Sequence, residues 1–395
     1  MLDQAQMQTK AQAVTVAQRA MAIRDFRQAA VAWREVLEID PRDRSAWLGL
    51  GACYRTLGNI PAALEAVDRG LAVDPLNFAA LLMRASLLER AGRLREAGPA
   101  YGNALAQAPP DHVLDAATRR ALAHGRNINQ SYGEELEAHL LDSLRALAGT
   151  DGAASRRATR FIDFIIGRRK NYRQEPVGYF YPGLPAIEFW EREEFPWLEG
   201  LEEQTGAITQ ELMSVLQEDA GEITPYLDYS DTTPLGQWEQ LNRSDLWGAY
   251  HLKCFGERVA PNAARCPRTM AALEKTPQPN VKNRSPAAMF SVLRARTHIP
   301  PHTGVANTRL VVHLPLIVPD GCRFRVGNET RIYAPRTAWV FDDTIEHEAW
   351  NDSDETRIIL LFDVWNPRIP EAEQALIAAI SSALDEFAGP PADAL

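Results

Sequence analysis

Pro301-His302-Thr303-Gly304, then Phe341-Asp342-Asp343-Thr344-Ile345-Glu346-His347-Glu348, then Arg357, are the three pieces on which the reading of the C-terminal half turns. Each histidine adjoins an apolar, strand-like run, and the basic residue opens the next one. Two imidazoles brought together in this way suit a non-haem iron site. There, two histidines and a carboxylate usually bind one face of the metal and leave the opposite positions open. The usual order is His-x-Asp/Glu followed later by His. The carboxylate position here is Gly304, so the residues alone leave two readings open: no metal site, or a departure from the common pattern. A histidine beside a strand is more often structural, and His251 and His298 are read that way. Glu346 and Glu348 flank His347 and should face away from it, because neighbouring side chains on a strand alternate. Asp342 reads as a turn cap.

Working outward, Met289–Leu293, Arg309–Leu316, Cys322–Val326, Thr330–Tyr333, Thr337–Phe341, His347–Trp350 and Thr356–Val364 are short apolar runs. Turn residues such as Pro319-Asp320-Gly321, Gly327-Asn328 and Asn351-Asp352-Ser353-Asp354 separate them. Many short strands at this spacing predict a sandwich or a jelly-roll, cupin-type barrel. A double-stranded β-helix would bring His302 and His347 to one mouth. The rigid aromatic stretch Tyr179-Phe180-Tyr181-Pro182-Gly183-Leu184-Pro185 and helical material around Trp197–Leu216 precede the strands. A helix over Glu371–Phe387 follows, and Gly389-Pro390-Pro391 opens a frayed tail.

The N-terminal third has a different grammar. Pro41, Pro75 and Pro109 recur at the period of the tetratricopeptide repeat, about 34 residues. The middle unit carries the fullest pattern: Trp47, Leu50, Gly51 and Tyr54, a turn at Gly58, then Ala63, Val67, Gly70 and Pro75. Gly92, Ala97, Tyr101 and Ala104 repeat it, and Ala17, Ala20, Ala29, Trp33 and Val36 precede it. Apolar helical faces continue through Asp115–Ala148, and Gly149-Thr150-Asp151-Gly152 breaks them. The expected organisation is a helical repeat domain over 1–150 and a β-barrel domain with flanking helices over 151–395.

The formal charge of −10 disfavours nucleic acid as a partner. The basic run Arg156, Arg157, Arg160, Arg168, Arg169, Lys170 and Arg173 is interleaved with Phe161, Phe164, Ile165 and Ile166 at helical spacing and reads as a solvated helix face. Cys53, Cys254, Cys266 and Cys322 lack the spacing of a zinc site or a disulfide framework. With no signal-peptide order at the N-terminus and no apolar run of spanning length, the expectation is a cytoplasmic protein without membrane insertion.

The stretch from His302 to Pro367 resembles the aspartyl/asparaginyl β-hydroxylase family. The matching words start at Pro301 (PHTG..N.RL..HL), Gly321 (GC...V.NETR), Phe341 (FDD..EHE.WN) and Arg357 (R..L..DVW.P). Tyr179–Leu184 and Ala186–Trp197 extend the likeness, so that it covers roughly 175–368. The family is iron- and 2-oxoglutarate-dependent, and repeat arrays precede the catalytic domain in some members. The resemblance implies His302 and His347 as iron ligands. It also makes Gly304 the glycine that this family has in place of the usual carboxylate. Ser291 and Arg357 would hold the distal carboxylate of 2-oxoglutarate, with His313 as a second contact to it. Arg309 would lie near the substrate, and Asp343 would orient groups around the metal. Val311 stands where animal members have a second arginine, and Ala263 and Met270 stand where they have a cysteine pair.

The implied activity is a dioxygenase reaction consuming O2 and 2-oxoglutarate with Fe(II). It would hydroxylate an unactivated carbon, in the first instance the β-carbon of Asp or Asn in a polypeptide, with the repeats either presenting that polypeptide or bracing the barrel. Three alternatives stand beside it: hydroxylation of lipid A-type acyl chains, halogenation through the position opened by Gly304, and a non-catalytic repeat scaffold.

Overall fold

Small residues at helical spacing shape the first third. The computed structural model describes residues 3–147, 152–232 and 234–389; the expected break at residues 149–151 and the tail from Pro390 onward lie outside them. Six helices form three antiparallel pairs: α1 (Gln4–Ala22), α2 (Phe26–Ile39), α3 (Arg44–Thr56), α4 (Ile60–Val73), α5 (Phe78–Arg90) and α6 (Leu94–Ala106). Asp25, Asp43, Asn59 and Asn77 cap α2 to α5, each accepting the backbone N–H three residues on. A Cβ on Gly51 would come within 2.8 Å of Val67, so glycine is what lets α3 and α4 meet. Gly58 and Gly92 take positive φ (81° and 74°) at the turns inside the repeats. Ala17, Ala29, Ala46, Ala63, Ala97 and Ala104 are buried, with Trp33, Val36 and Tyr101 filling the gaps. These are the three tetratricopeptide-type units expected from the period.

The chain divides into two compact units, Met1–Arg169 and Lys170–Leu395. The division falls later than residue 150. The long α7 (Ala116–Leu147) is followed by α8 (Gly152–Ile165), and Arg168 forks onto Glu137 of α7 at 2.6 and 2.5 Å. α8 and the basic residues Arg156 to Arg169 therefore belong to the helical unit, while Lys170 and Arg173 fall in the second.

In the second unit, α9 (Leu198–Glu203), α10 (Thr205–Glu218), α11 (Ala260–Arg265) and α12 (Pro267–Leu273) lie on one side of two antiparallel sheets. The strands are β1 (Thr224–Pro225), β2 (Trp247–Cys254), β3 (Glu257–Arg258), β4 (Ala288–Leu293), β5 (Thr297–His302), β6 (Arg309–Ile317), β7 (Cys322–Val326), β8 (Glu329–Ile332), β9 (Trp339–Phe341), β10 (His347–Asn351) and β11 (Arg357–Trp365); α13 (Glu371–Ala388) follows. The larger sheet runs β1-β2-β4-β11-β6-β9 and the smaller β5-β10-β7-β8. This is the double-stranded β-helix. Period-two alternation divides each strand of the large sheet between two cores. Phe290, Val292, Leu310, Val312, Leu314, Ile358, Leu360 and Phe362 pack with the helices. Met289, Ser291, Arg309, Val311, His313, Arg357, Ile359 and Asp363 face the space between the sheets.

Seven of the strands were expected to within a few residues. Two were not. β5 contains Pro300 and Pro301, which discourage a strand assignment, and it sits at the edge of the small sheet, where proline is tolerated. β2 lies far upstream of the regular strand series. No helix among the described residues is long and apolar enough to cross a membrane.

Candidate active site

A cavity of about 700 Å³ opens between the sheets. It collects the residues given a role at the site: Ser291, His302, Arg309, His313, His347 and Arg357, together with Gly304 and Asp343.

Antiparallel pairing of β5 with β10 sets His302 directly across from His347, and their ring centroids are 4.0 Å apart. Each ring is oriented through Nδ1: His302 donates to the Pro300 carbonyl at 2.8 Å and His347 to the Ile345 carbonyl at 3.0 Å. Nε2 is left as the nitrogen carrying the lone pair on both rings, the arrangement a metal ligand needs. Trp238 meets His302 edge-on at 5.1 Å, while Phe324 and Phe341 wall His347. Burial, reinforced by His347, pushes His302 down to about 3; burial pushes His347 down to about 4. Both rings are therefore neutral at ordinary pH.

A pH prediction follows. In the unfolded chain these histidines take protons near pH ~6.5, whereas in the fold they resist protonation until ~3–4. The unfolded state then binds more protons over that window, so stability rises with pH. The metal-free protein should lose thermal stability as pH falls from ~6.5 toward ~4, and His302→Gln should lose less. Melting curves of the two proteins across that range check this.

Gly304 explains its own identity. A Cβ there would overlap the carboxyl group of Asp343. The backbone cannot yield, because Gly304 N–H donates to the Asp343 carbonyl at 2.6 Å and its own carbonyl accepts from Val177 at 2.9 Å. The Asp343 carboxylate thus fills the space that a side chain at 304 would take. Asp343 is buried, bridges to Arg309 at 3.1 Å, and keeps Oδ1 without a protein hydrogen bond. Burial raises its pKa, and Arg309 opposes that shift. Gly304→Ala should force Asp343 off Arg309, costing ~1–3 kcal/mol in the manner of an overpacked core. Thermal melting and iron affinity should both fall, and an unchanged iron affinity would show that Asp343 has no part in arranging the site.

Across the cavity, Arg357 is 2% exposed, and its Nη1 has no hydrogen-bond partner. Its guanidinium carbon lies 5.7 Å from the Tyr333 ring, and no carboxylate pairs with it among the described residues. Burial pushes its pKa down. A buried cation without a counterion is costly to keep, so this corner is built to receive an anion. Ser291 Oγ accepts from Trp247 Nε1 at 3.3 Å, which leaves its own proton to donate. His313 Nδ1 lies 3.1 Å from Tyr333 Oη, and the ring is packed between Phe324 and Phe341. Burial, with Arg357 nearby, holds its pKa far below the usual value.

The other expectations fall as follows. Asp342 caps its turn, accepting from the Thr344 N–H and Oγ, and burial lifts its pKa to about 6. Glu346 and Glu348 lie on the far face, both bound by Arg325, and His298 joins Glu348 at 2.9 Å. Arg309 reaches the cavity but is engaged on both sides, by Asp343 and by Asp363 at 3.7 Å. The sequence did not bring forward Asp363, Tyr226, Trp238, Trp247 or the Ile377 and Ile380 wall from α13. Asp363 had a signal: it is a lone acid within the apolar run Ile358–Trp365. The described residues contain no group of three or more His, Cys, Asp or Glu placed to hold a metal. The donor set is two imidazoles, with one carboxylate held back beside Gly304.

The fold and site define a double-stranded β-helix protein whose cavity sets two paired histidines across from a buried guanidinium. The family model described as aspartyl/asparaginyl beta-hydroxylase matches residues 202–367. The chain is 34% identical over 212 residues to the ornithine lipid ester-linked acyl 2-hydroxylase of Rhizobium tropici, covering 53% of this chain and 69% of that protein. It is 24% identical over 354 residues to the aspartyl/asparaginyl beta-hydroxylase of Homo sapiens, covering 88% of this chain and 42% of the relative. The chain belongs to the aspartyl/asparaginyl β-hydroxylase family. It spans less than half of the human relative and 26% of the Mus musculus one. A tetratricopeptide repeat model matches residues 16–72 and 54–113. Among solved structures, the TPR2B domain–pHsp70 complex of yeast Sti1 is 15% identical, covering 32% of this chain and 98% of that one, with a TM-score of 0.28.

Proposed function

We propose that this protein is an Fe(II)- and 2-oxoglutarate-dependent hydroxylase. The observation that carries the reading is the pairing, in one cavity, of two neutral histidines with free Nε2 atoms and a buried guanidinium that lacks a carboxylate partner. His302 and His347 would hold the iron. Arg357 and the Ser291 hydroxyl would hold the distal carboxylate of 2-oxoglutarate, with His313 beside it. A planar guanidinium suits a carboxylate because it can give two charge-assisted bonds. When bound, iron and 2-oxoglutarate supply the oxidising chemistry with O2, releasing succinate and carbon dioxide as a C–H bond becomes C–OH. The Asp343 carboxylate, with Oδ1 free, is placed to accept a hydrogen bond beside the metal position. Trp238, Trp247, Phe324 and Phe341 exclude water around the two rings.

The resemblance favours the β-carbon of an Asp or Asn side chain in a polypeptide as the target. Acyl-chain hydroxylation is the second reading, supported by the exposed apolar residues Val177, Phe180 and Ile380 at or beside the cavity rim. Halogenation is disfavoured, because the Asp343 carboxylate already fills the space beside Gly304 and would repel chloride. The non-catalytic scaffold gives no reason for Arg357 to be buried without a counterion. Four free cysteines, three of them buried, support a reducing, cytoplasmic setting.

We assign the repeats a role in presenting a polypeptide. Their surface includes a cavity of about 530 Å³ lined by Arg34, Trp47, Tyr54 and Arg69 among others. Remote contacts of this kind can serve orientation at the reacting centre. A protein beginning at Lys170 should keep Fe(II) and 2-oxoglutarate binding and slow substrate-independent turnover, yet lose productive turnover on the natural polypeptide. Unchanged kinetics on that substrate would remove the presentation role; aggregation or lost 2-oxoglutarate binding would make the repeats a brace.

A further inference from the structure

Charge around the cavity constrains what can enter it. Three guanidinium groups form part of its wall: Arg284, Arg309 and Arg357. Asp385 binds Arg284 at 2.6 Å, with both side chains about nine-tenths buried. Arg309 lies between Asp343 and Asp363. Asp363 cannot swing away, because it accepts from the Ser285 hydroxyl at 2.9 Å and from the Ala287 N–H at 2.7 Å. Arg357 is the one of the three left without a carboxylate, and no lysine lines the cavity. In the reading above, one carboxylate of 2-oxoglutarate takes Arg357 and the other meets Fe(II), whose remaining positive charge is offset by the second of the two carboxylates on Arg309. Every charge in the loaded pocket then has a counterpart. A carboxylate on the reacting group of a substrate would be buried without one, which is strongly unfavourable.

Val311 lies on the same face of β6 as Arg309 and His313 and lines the same cavity. It is 4% exposed and brings no charge. Around it the wall is aromatic and aliphatic, including Tyr226, Trp238, Ile299, Val305 and Ile377. We propose that the pocket selects an uncharged reacting group, an amide or an alkyl carbon, and that Val311 and the Asp343–Arg309–Asp363 clamp set this selectivity. The proposal rests on the iron and 2-oxoglutarate reading of the same pocket. Within the polypeptide reading it favours Asn over Asp, and it is equally compatible with an alkyl chain.

The test is a matched pair of probes, octanamide and octanoate, titrated into the full-length protein loaded anaerobically with Fe(II) and saturating 2-oxoglutarate. Trp238 and Trp247 line the cavity, so their fluorescence reports occupancy. Binding of 2-oxoglutarate is measured first; its failure would sink the reading under Proposed function before either probe is added. With it bound, octanamide should bind, and octanoate should bind weaker by roughly a hundredfold, as expected for an uncompensated buried charge. Val311→Arg, which adds a cation, and the isosteric Asp363→Asn, which removes one of the two carboxylates beside Arg309, should each narrow that gap. Octanoate binding as tightly as octanamide to the unaltered protein would overturn the proposal. So would failure of octanamide to bind at all.

Discussion

His347→Ala should eliminate iron-dependent turnover, and His302→Ala should do the same. In the proposed site two side chains of the described residues, His302 and His347, hold the metal, so losing either leaves one. Residues that merely orient a ligand are worth about 10–100-fold in metal affinity, and removing a ligand outright should cost more than that. The fold should survive, because each ring hangs from a strand whose backbone pairing is unaffected: His347 pairs with Val326 on one side and His302 on the other. Circular dichroism and melting establish that the variants are folded; iron retained after desalting, and succinate formed, give the result. Near-native iron content in either variant would show that the metal is held elsewhere.

Arg357→Met should abolish saturable 2-oxoglutarate binding. Truncating a charge-assisted partner of a buried carboxylate costs about 2–5 kcal/mol, which is a loss of roughly 30- to several-thousand-fold in affinity. A second readout separates this role from a structural one. In the metal-free protein Arg357 is a buried cation whose Nη1 lacks a hydrogen-bond partner, with no carboxylate paired to it among the described residues. Replacing it with an apolar side chain of similar length should leave stability unchanged or raise it. A structural arginine would behave in the opposite way, losing stability and cosubstrate binding together. Calorimetric titration of 2-oxoglutarate and a thermal melt of the same sample make the comparison.

How far the sequence could be read depended on how local each feature was. The repeats were legible because each unit restates the same contacts: Gly51 meets Val67 within one unit, and the caps Asp43, Asn59 and Asn77 reach only three residues ahead. The strands from β6 onward were legible because turn residues punctuate them. β5 was hidden by Pro300 and Pro301. α8 was assigned to the barrel because its glycine-rich preface looked like a boundary; its contacts with α7, among them the Arg168–Glu137 pair just beyond its end, are announced by no periodicity. At the site, the two histidines and Arg357 stood out because ionisable residues in apolar runs are conspicuous. The state of Arg309 did not. Its partners come from the loop before β10 and from β11, and only the pairing of β6 with β11, which sets Arg309 opposite Trp365 and Val311 opposite Asp363, reveals that its charge is already matched. Gly304 was anomalous in the sequence; its explanation, the Asp343 carboxyl group, lies in a different segment.

The most direct test of the central claim is the formation of succinate from 2-oxoglutarate by the purified protein, with Fe(II) and O2 present. The account predicts slow succinate release without any added substrate, lost on iron chelation and absent in both His302→Ala and Arg357→Met. Succinate formation that persists in either variant, or none in the iron-loaded protein under any condition, would contradict it.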